Sequence, residues 1–116
     1  MRIRALTRED LKAATALCAR AWAYDHVTQT LLHEKVFEDP PGEASAASGA
    51  WEGDTLVGFV ALCSDGRTAW IKIAAAEPAR RHRGISSALL GEAEGWATKV
   101  GVRSLRLMDH PGNYLT

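Results

Sequence analysis

An α+β domain with the element order β-α-α-β-β-β-α-β, built on a mixed, mostly antiparallel sheet with helices on both faces, follows from three observations on this 116-residue chain. Apolar residues spaced three and four apart mark helices towards the start and the end. Alternating or continuous apolar runs, separated by Gly-Asp and Asp-Gly turns, fill the middle. A long helical pattern also lies between two strand patterns, where a crossover fits. With 47% hydrophobic and 24% charged residues the chain can bury one modest core, so residues 1–116 are expected to form a single domain.

Residues 2–6 alternate polar and apolar, as a short strand does. Thr7, with the acid Asp10 three residues on, caps a helix whose Leu11, Ala14, Cys18, Ala21 and Trp22 form one apolar stripe. Residues 24–37 form a second, less regular helical piece, ended by Asp39-Pro40-Pro41-Gly42. Residues 44–48, small and polar, read as a surface connection into a strand at 49–52. A turn at Gly53-Asp54 joins that strand to the next at 56–62, which makes a hairpin. After Ser64-Asp65-Gly66-Arg67 a further strand occupies 68–76. Ile85, Ala88, Leu89, Ala93, Trp96 and Val100 then keep helical spacing, and Gly101 ends the helix in a left-handed conformation. Residues 102–108 form the last strand, parallel to 68–76 across the helical crossover.

Composition narrows the function classes. Fourteen basic residues balance fourteen acidic ones, so no nucleic-acid and no anionic-membrane partner is expected. Apolar stretches such as 56–63 are too short to cross a bilayer, and Met1-Arg2-Ile3-Arg4 opens no signal-peptide apolar block; a soluble, cytoplasmic protein is expected. Cys18 and Cys63 have no paired spacing and read as reduced, buried thiols. His33 and His82 have no ligand spacing with a Cys or an acid, so no metal is expected. Trp22, Trp51, Trp70 and Trp96 read as core, with Trp70 the candidate for lining a cleft instead.

The chemistry concentrates where the strand at 68–76 gives way to the long helix. Pro78 closes the strand segment, and Arg80 to Ser87 bring three arginines, a histidine and a glycine to the helix start. The first turn of a helix has four backbone N–H groups without internal partners, which suits an anion. Gly84 has no Cβ to keep a phosphate off the main chain, and Ser86 and Ser87 add hydroxyl donors. Arginines at a helix N-terminus oppose the helix dipole, which a bound anion offsets. A nucleic-acid reading of Arg80 to Arg83 is weak, because no aromatic platform adjoins the run.

The run Ala76-x-Pro78-x-x-Arg81-x-x-Gly84-Ile85-Ser86-x-x-Leu89-Leu90 resembles the acyl-CoA-binding signature of the GNAT acetyltransferase superfamily, with Ser86 where that signature has a last Gly or Ala. The element order agrees over essentially the whole chain, which makes the fold GNAT-like and C-terminally shortened, since relatives continue past 102–108 into another helix and two strands. The resemblance implies acetyl-CoA as co-substrate. Backbone amides of Arg81, His82, Arg83, Gly84, Ile85, Ser86 and Ser87 would hold the pyrophosphate. Main-chain groups near Ala74 and Ala76 would pair with the amides of the pantetheine arm between splayed strands.

The implied reaction is direct attack of a primary amine, in a small molecule or a peptide, on the thioester. Freeing a lysine-like amine (pKa about 10.4) of its proton at pH 7 costs roughly 4.6 kcal/mol, an α-amino group (about 7.7) about 1 kcal/mol. The acceptor therefore decides how strong a base is required. Asp109, His110, Tyr24, Asp25 and His26 are weighed for that role and none is assigned; Tyr114 falls too early to match the general-acid tyrosine that relatives carry. Two readings stand: an N-acetyltransferase, and a non-catalytic acyl-CoA-binding or partner-binding domain that keeps the cradle. In either, a homodimer covering the open edge of the last strand is an expected partner arrangement.

Overall fold

The computed structural model describes residues 1–21, 28–37, 44–80 and 84–107. Strand β1 (Arg2–Ala5) leads through a 3-10 turn (Arg8–Asp10) into helix α1 (Leu11–Ala21). Asp10 organises this entry: its carboxylate accepts the Thr7 N–H at 2.8 Å and the Thr7 hydroxyl at 3.0 Å, and pairs with Arg4 at 3.2 Å. The helix cap read from the sequence is thus made by the acid. The Asp10 N–H donates to the Thr7 carbonyl at 3.0 Å. Leu11, Ala14, Leu17 and Cys18 are the buried stripe of α1. Trp22 lies outside the described residues, and the second helix, α2 (Gln29–Phe37), occupies only the later part of the expected 24–37.

The remaining elements are β2 (Ala44–Glu52), β3 (Thr55–Ser64), β4 (Thr68–Ala76), a 3-10 turn (Pro78–Arg80), α3 (Ile85–Lys99) and β5 (Ser104–Leu107). The sheet runs β1-β2-β3-β4-β5, antiparallel except for the parallel β4–β5 pair across α3. The α+β class, the mixed sheet and the crossover match expectation. One boundary does not. Residues 44–48 are strand rather than connection, because Ala44 to Ser48 pair with Ser64 to Val60 of β3. Tertiary pairing overrides the weak strand propensity of an Ala/Ser run.

Helices cover both faces, which explains why every residue of β3 after Thr55 is buried. Against α1 and α2 lie Trp51, Phe59, Ala61, Ile73 and Ala75; against α3 lie Val57, Val60, Leu62, Ile71 and Ala74. Gly58 lets α3 close onto β3: a Cβ there would meet Ile85 Cγ2 at 2.6 Å and Leu89 Cδ1 at 3.0 Å. Trp51 is core, with the Arg4 guanidinium 3.6 Å from its ring centre. Trp96 is half-buried and packs against the buried clusters beneath α3, as expected; Trp70, half-buried, is in none of the buried clusters of described residues. Cys18 and Cys63 are free and buried, and burial pushes the Cys18 thiol up to about 12.

Strand β4 carries an irregularity that its sequence pattern does not announce. Ala61 pairs with Ile73 and Leu62 with Ile71, so Lys72 is an extra residue with no counterpart in the β3 register.

Candidate functional site

Strand β4 delivers the chain to the sequence-predicted cradle. Ala74 is buried and Ala76 half-buried. One more rung, Glu77 N–H to Val57 carbonyl at 2.8 Å, extends the β3–β4 pairing before the chain turns through Pro78–Arg80, closed by Arg80 N–H to Glu77 carbonyl at 3.0 Å. Two ion pairs hold this turn. Glu77 accepts from Arg20 of α1 at 2.7 Å, and Arg80 donates to Glu52 at the end of β2 at 2.6 Å. They tether the approach to both flanking elements and compensate the carboxylates of Glu77 and Glu52. Sequence reading missed these pairs, whose partners lie far apart in the chain.

Arg81, His82 and Arg83 lie outside the described residues. Gly84 then takes the left-handed conformation (φ 76°, ψ 15°) and caps α3, with Ala88 N–H bonded to its carbonyl at 2.9 Å. Lacking a side chain, Gly84 cannot cap the first-turn amides itself. The space is open as well: its chain neighbours aside, a Cβ on Gly84 would meet no described residue within 4 Å. Ile85 is buried and pins the helix start to the sheet, while Ser86 is half-buried and Ser87 exposed. A glycine, two small hydroxyl residues and an open helix terminus fit an anionic group approaching the backbone.

The edge of β4 fits an extended ligand in the same way. The β4–β5 rungs run from Thr68↔Ser104 to Ile71↔Leu107, and among the described residues 73–76 have no strand neighbour on that side. A cleft of about 570 Å³ opens between α3 and β5, lined by Ile71, Ser86, Ser87, Leu90, Leu105 and Arg106 among others. Trp70 stands opposite Arg106 in the β4–β5 ladder. Asp109, His110 and Tyr114, like Tyr24, Asp25 and His26, lie outside the described residues.

The sequence matches the profile of the acetyltransferase (GNAT) family over residues 4–114. The chain belongs to that family. Its solved relatives share the fold at low identity. A PaiA N-acetyltransferase from Thermoplasma acidophilum in complex with coenzyme A superimposes with a TM-score of 0.78 at 24% identity, covering 98% of this chain and 82% of that one. A tandem GNAT protein from the clavulanic acid biosynthesis pathway gives 0.78 at 23% identity, over 97% of this chain and 39% of its own. The ribosomal-protein-S18-alanine N-acetyltransferase of Escherichia coli gives 0.74 at 21% identity, over 91% and 64%. This GNAT chain thus spans less than two thirds of the length of the latter two structures. Among curated proteins none matches the sequence.

Proposed function

We propose that this GNAT-family chain, acting as one domain over 1–116, transfers an acetyl group from acetyl-CoA to a primary amine, in a small molecule or a peptide, by direct attack. The carrying observation is the turn at Gly84: a left-handed glycine with open space above it, at the start of a helix that follows directly from a strand. In this reading the backbone amides of Arg81 to Ser87 hold the pyrophosphate, and the open edge of β4 at Ala74 and Ala76 bonds the peptide-like arm as an added strand would. The arm is what raises affinity to a useful level, because a helix terminus supplies only about 0.3–2 kcal/mol per charge, against roughly 8 kcal/mol for a micromolar ligand. The donor is a cytoplasmic metabolite, and the protein is placed there. A second copy covers the outer edge of β5, so a native mass of twice 12.6 kDa is expected and a monomer at high concentration rejects the dimer.

The test sets calorimetric CoA binding beside thiol release from acetyl-CoA over a panel of amines. Binding with amine-dependent thiol release supports the transferase. Binding without release supports a non-catalytic acyl-CoA-binding domain, and no binding rejects both.

A further inference from the structure

We propose that Arg106 binds the ribose 3′-phosphate at the nucleotide end of coenzyme A, in the cleft between α3 and β5, and makes the chain select CoA over its 3′-dephospho form. The inference rests on the acyl-CoA reading above and adds to it a residue that neither the signature nor the family match assigns.

With the pyrophosphate at the Gly84 turn and the arm along β4, the nucleotide end of the ligand leaves the turn in another direction. The cleft of about 570 Å³ begins there, since Ser86 and Ser87 line it. Ser86, Leu90 and Glu94 follow at four-residue intervals, so one face of α3 forms a wall about 12 Å long at 1.5 Å per residue. Ile71, Leu105, Arg103 and Arg106 line the cleft from the sheet. Leu90 is 41% exposed, and among the described residues Met1 alone is a large hydrophobic side chain more exposed than it. With Leu105 half-buried across the cleft, it offers apolar surface to a flat base, in a space of the size that small ligands occupy.

The charges in the cleft are sorted by the topology. Neither Arg103 nor Arg106 has a hydrogen-bond or ion-pair partner among the described residues. Strand β5 runs parallel to β4, so both strands point towards the Gly84 turn, and α3 runs back from it. Arg106 therefore stands on the side of the turn. Arg103, three residues or about 10 Å further back, stands by the end of α3, where it lines a second cavity with Glu94, Ala97 and Thr98. Glu94, the one carboxylate lining the cleft, thus offsets Arg103 and leaves Arg106 as the uncompensated cation. A phosphomonoester carries about 1.5–2 negative charges at pH 7, and a guanidinium meets its oxygens with two parallel N–H donors. Dephospho-CoA has the same base, pyrophosphate and arm but leaves Arg106 facing water.

The test is a pair of calorimetric titrations of the full chain, one with CoA and one with 3′-dephospho-CoA, repeated on Arg106→Gln. The unsubstituted chain is expected to bind CoA about tenfold more tightly than dephospho-CoA, the yield of one charge-assisted contact. In Arg106→Gln the affinity for CoA is expected to fall to that for dephospho-CoA, whose own dissociation constant stays within twofold. Arg106 is exposed, so the substitution should leave the melting temperature unchanged. Equal affinity of the unsubstituted chain for the two ligands, a result that needs no variant, overturns the role of Arg106 and leaves the acyl-CoA reading standing. A tenfold preference that survives Arg106→Gln does the same. Failure of the unsubstituted chain to bind either ligand overturns the acyl-CoA reading and this inference with it.

Discussion

Gly84 answers to a demand of the backbone and, in the proposed cradle, to one of the ligand, and a single substitution divides them. Its φ of 76° costs a residue with a Cβ about 1–2 kcal/mol, although, its chain neighbours aside, no described residue stands within 4 Å of where that Cβ would be. Gly84→Val is therefore expected to lower stability modestly while lowering CoA affinity at least tenfold, read by denaturant melts and calorimetry. A loss of stability with unchanged CoA affinity would confine Gly84 to a structural role. Asp10 makes a different kind of prediction. Burial by itself would raise its carboxyl pKa, but the hydrogen bonds from Arg4 and Thr7 outweigh that and hold it below the ordinary value. A depressed folded pKa contributes stability that is present above the unfolded value of about 3.9 and is lost as pH falls through the folded one. Asp10→Asn should cost about 0.5–2 kcal/mol at pH 7, as caps do, and progressively less in acid. An equal cost at pH 7 and pH 2.5 would refute the assignment. Gly84 and its neighbours were legible in the sequence because a glycine before a helical apolar pattern is a local signal. The bulge at Lys72, by contrast, could be seen only once β3 was in register beside β4.

Among the elements, α3 and β4 were read with nearly the observed bounds, because helical periodicity from Ile85 onward and the glycine at 101 (φ 85°) punctuate the chain locally. The first half of β2 was read as a connection, since nothing in Ala44-Ser45-Ala46-Ala47-Ser48 prefers a strand until β3 pairs with it. The ion pairs that hold the Pro78–Arg80 turn were illegible for the same reason: Arg20 and Glu77 are 57 residues apart, Arg80 and Glu52 are 28 apart. Pairs this exposed contribute little to stability, under about 1 kcal/mol each. Their effect is expected on the turn they position: Glu52→Gln and Arg80→Gln should each weaken CoA binding several-fold, and the double substitution should weaken it no further than either alone. Strictly additive losses would show that the two side chains act independently. The seating of α3 on β3 makes a firmer prediction. Gly58→Ala puts a methyl into Ile85 and Leu89, and overpacking of this kind costs about 1–3 kcal/mol. A melting temperature unchanged from that of the unsubstituted chain would mean that α3 is not held this closely.

At the scale of the whole molecule, two apolar layers fix a five-stranded sheet between α1 and α2 on one side and α3 on the other, and among the described residues β5 pairs with only the first half of β4. The family match over residues 4–114 agrees with that architecture, and the low identities to solved relatives carry the fold alone. The proposed function therefore depends on what the Gly84 turn and the β4 edge bind. A ligand that binds only the folded chain at 100 times its dissociation constant stabilises it by about 2.7 kcal/mol. The most direct measurement is a calorimetric titration of the full 116-residue chain with CoA, repeated on Gly84→Val. The account expects saturable binding at one site per chain, with a dissociation constant on the order of micromolar, and its loss in Gly84→Val. Absence of binding in the unsubstituted chain, or equal binding by both proteins, would contradict it.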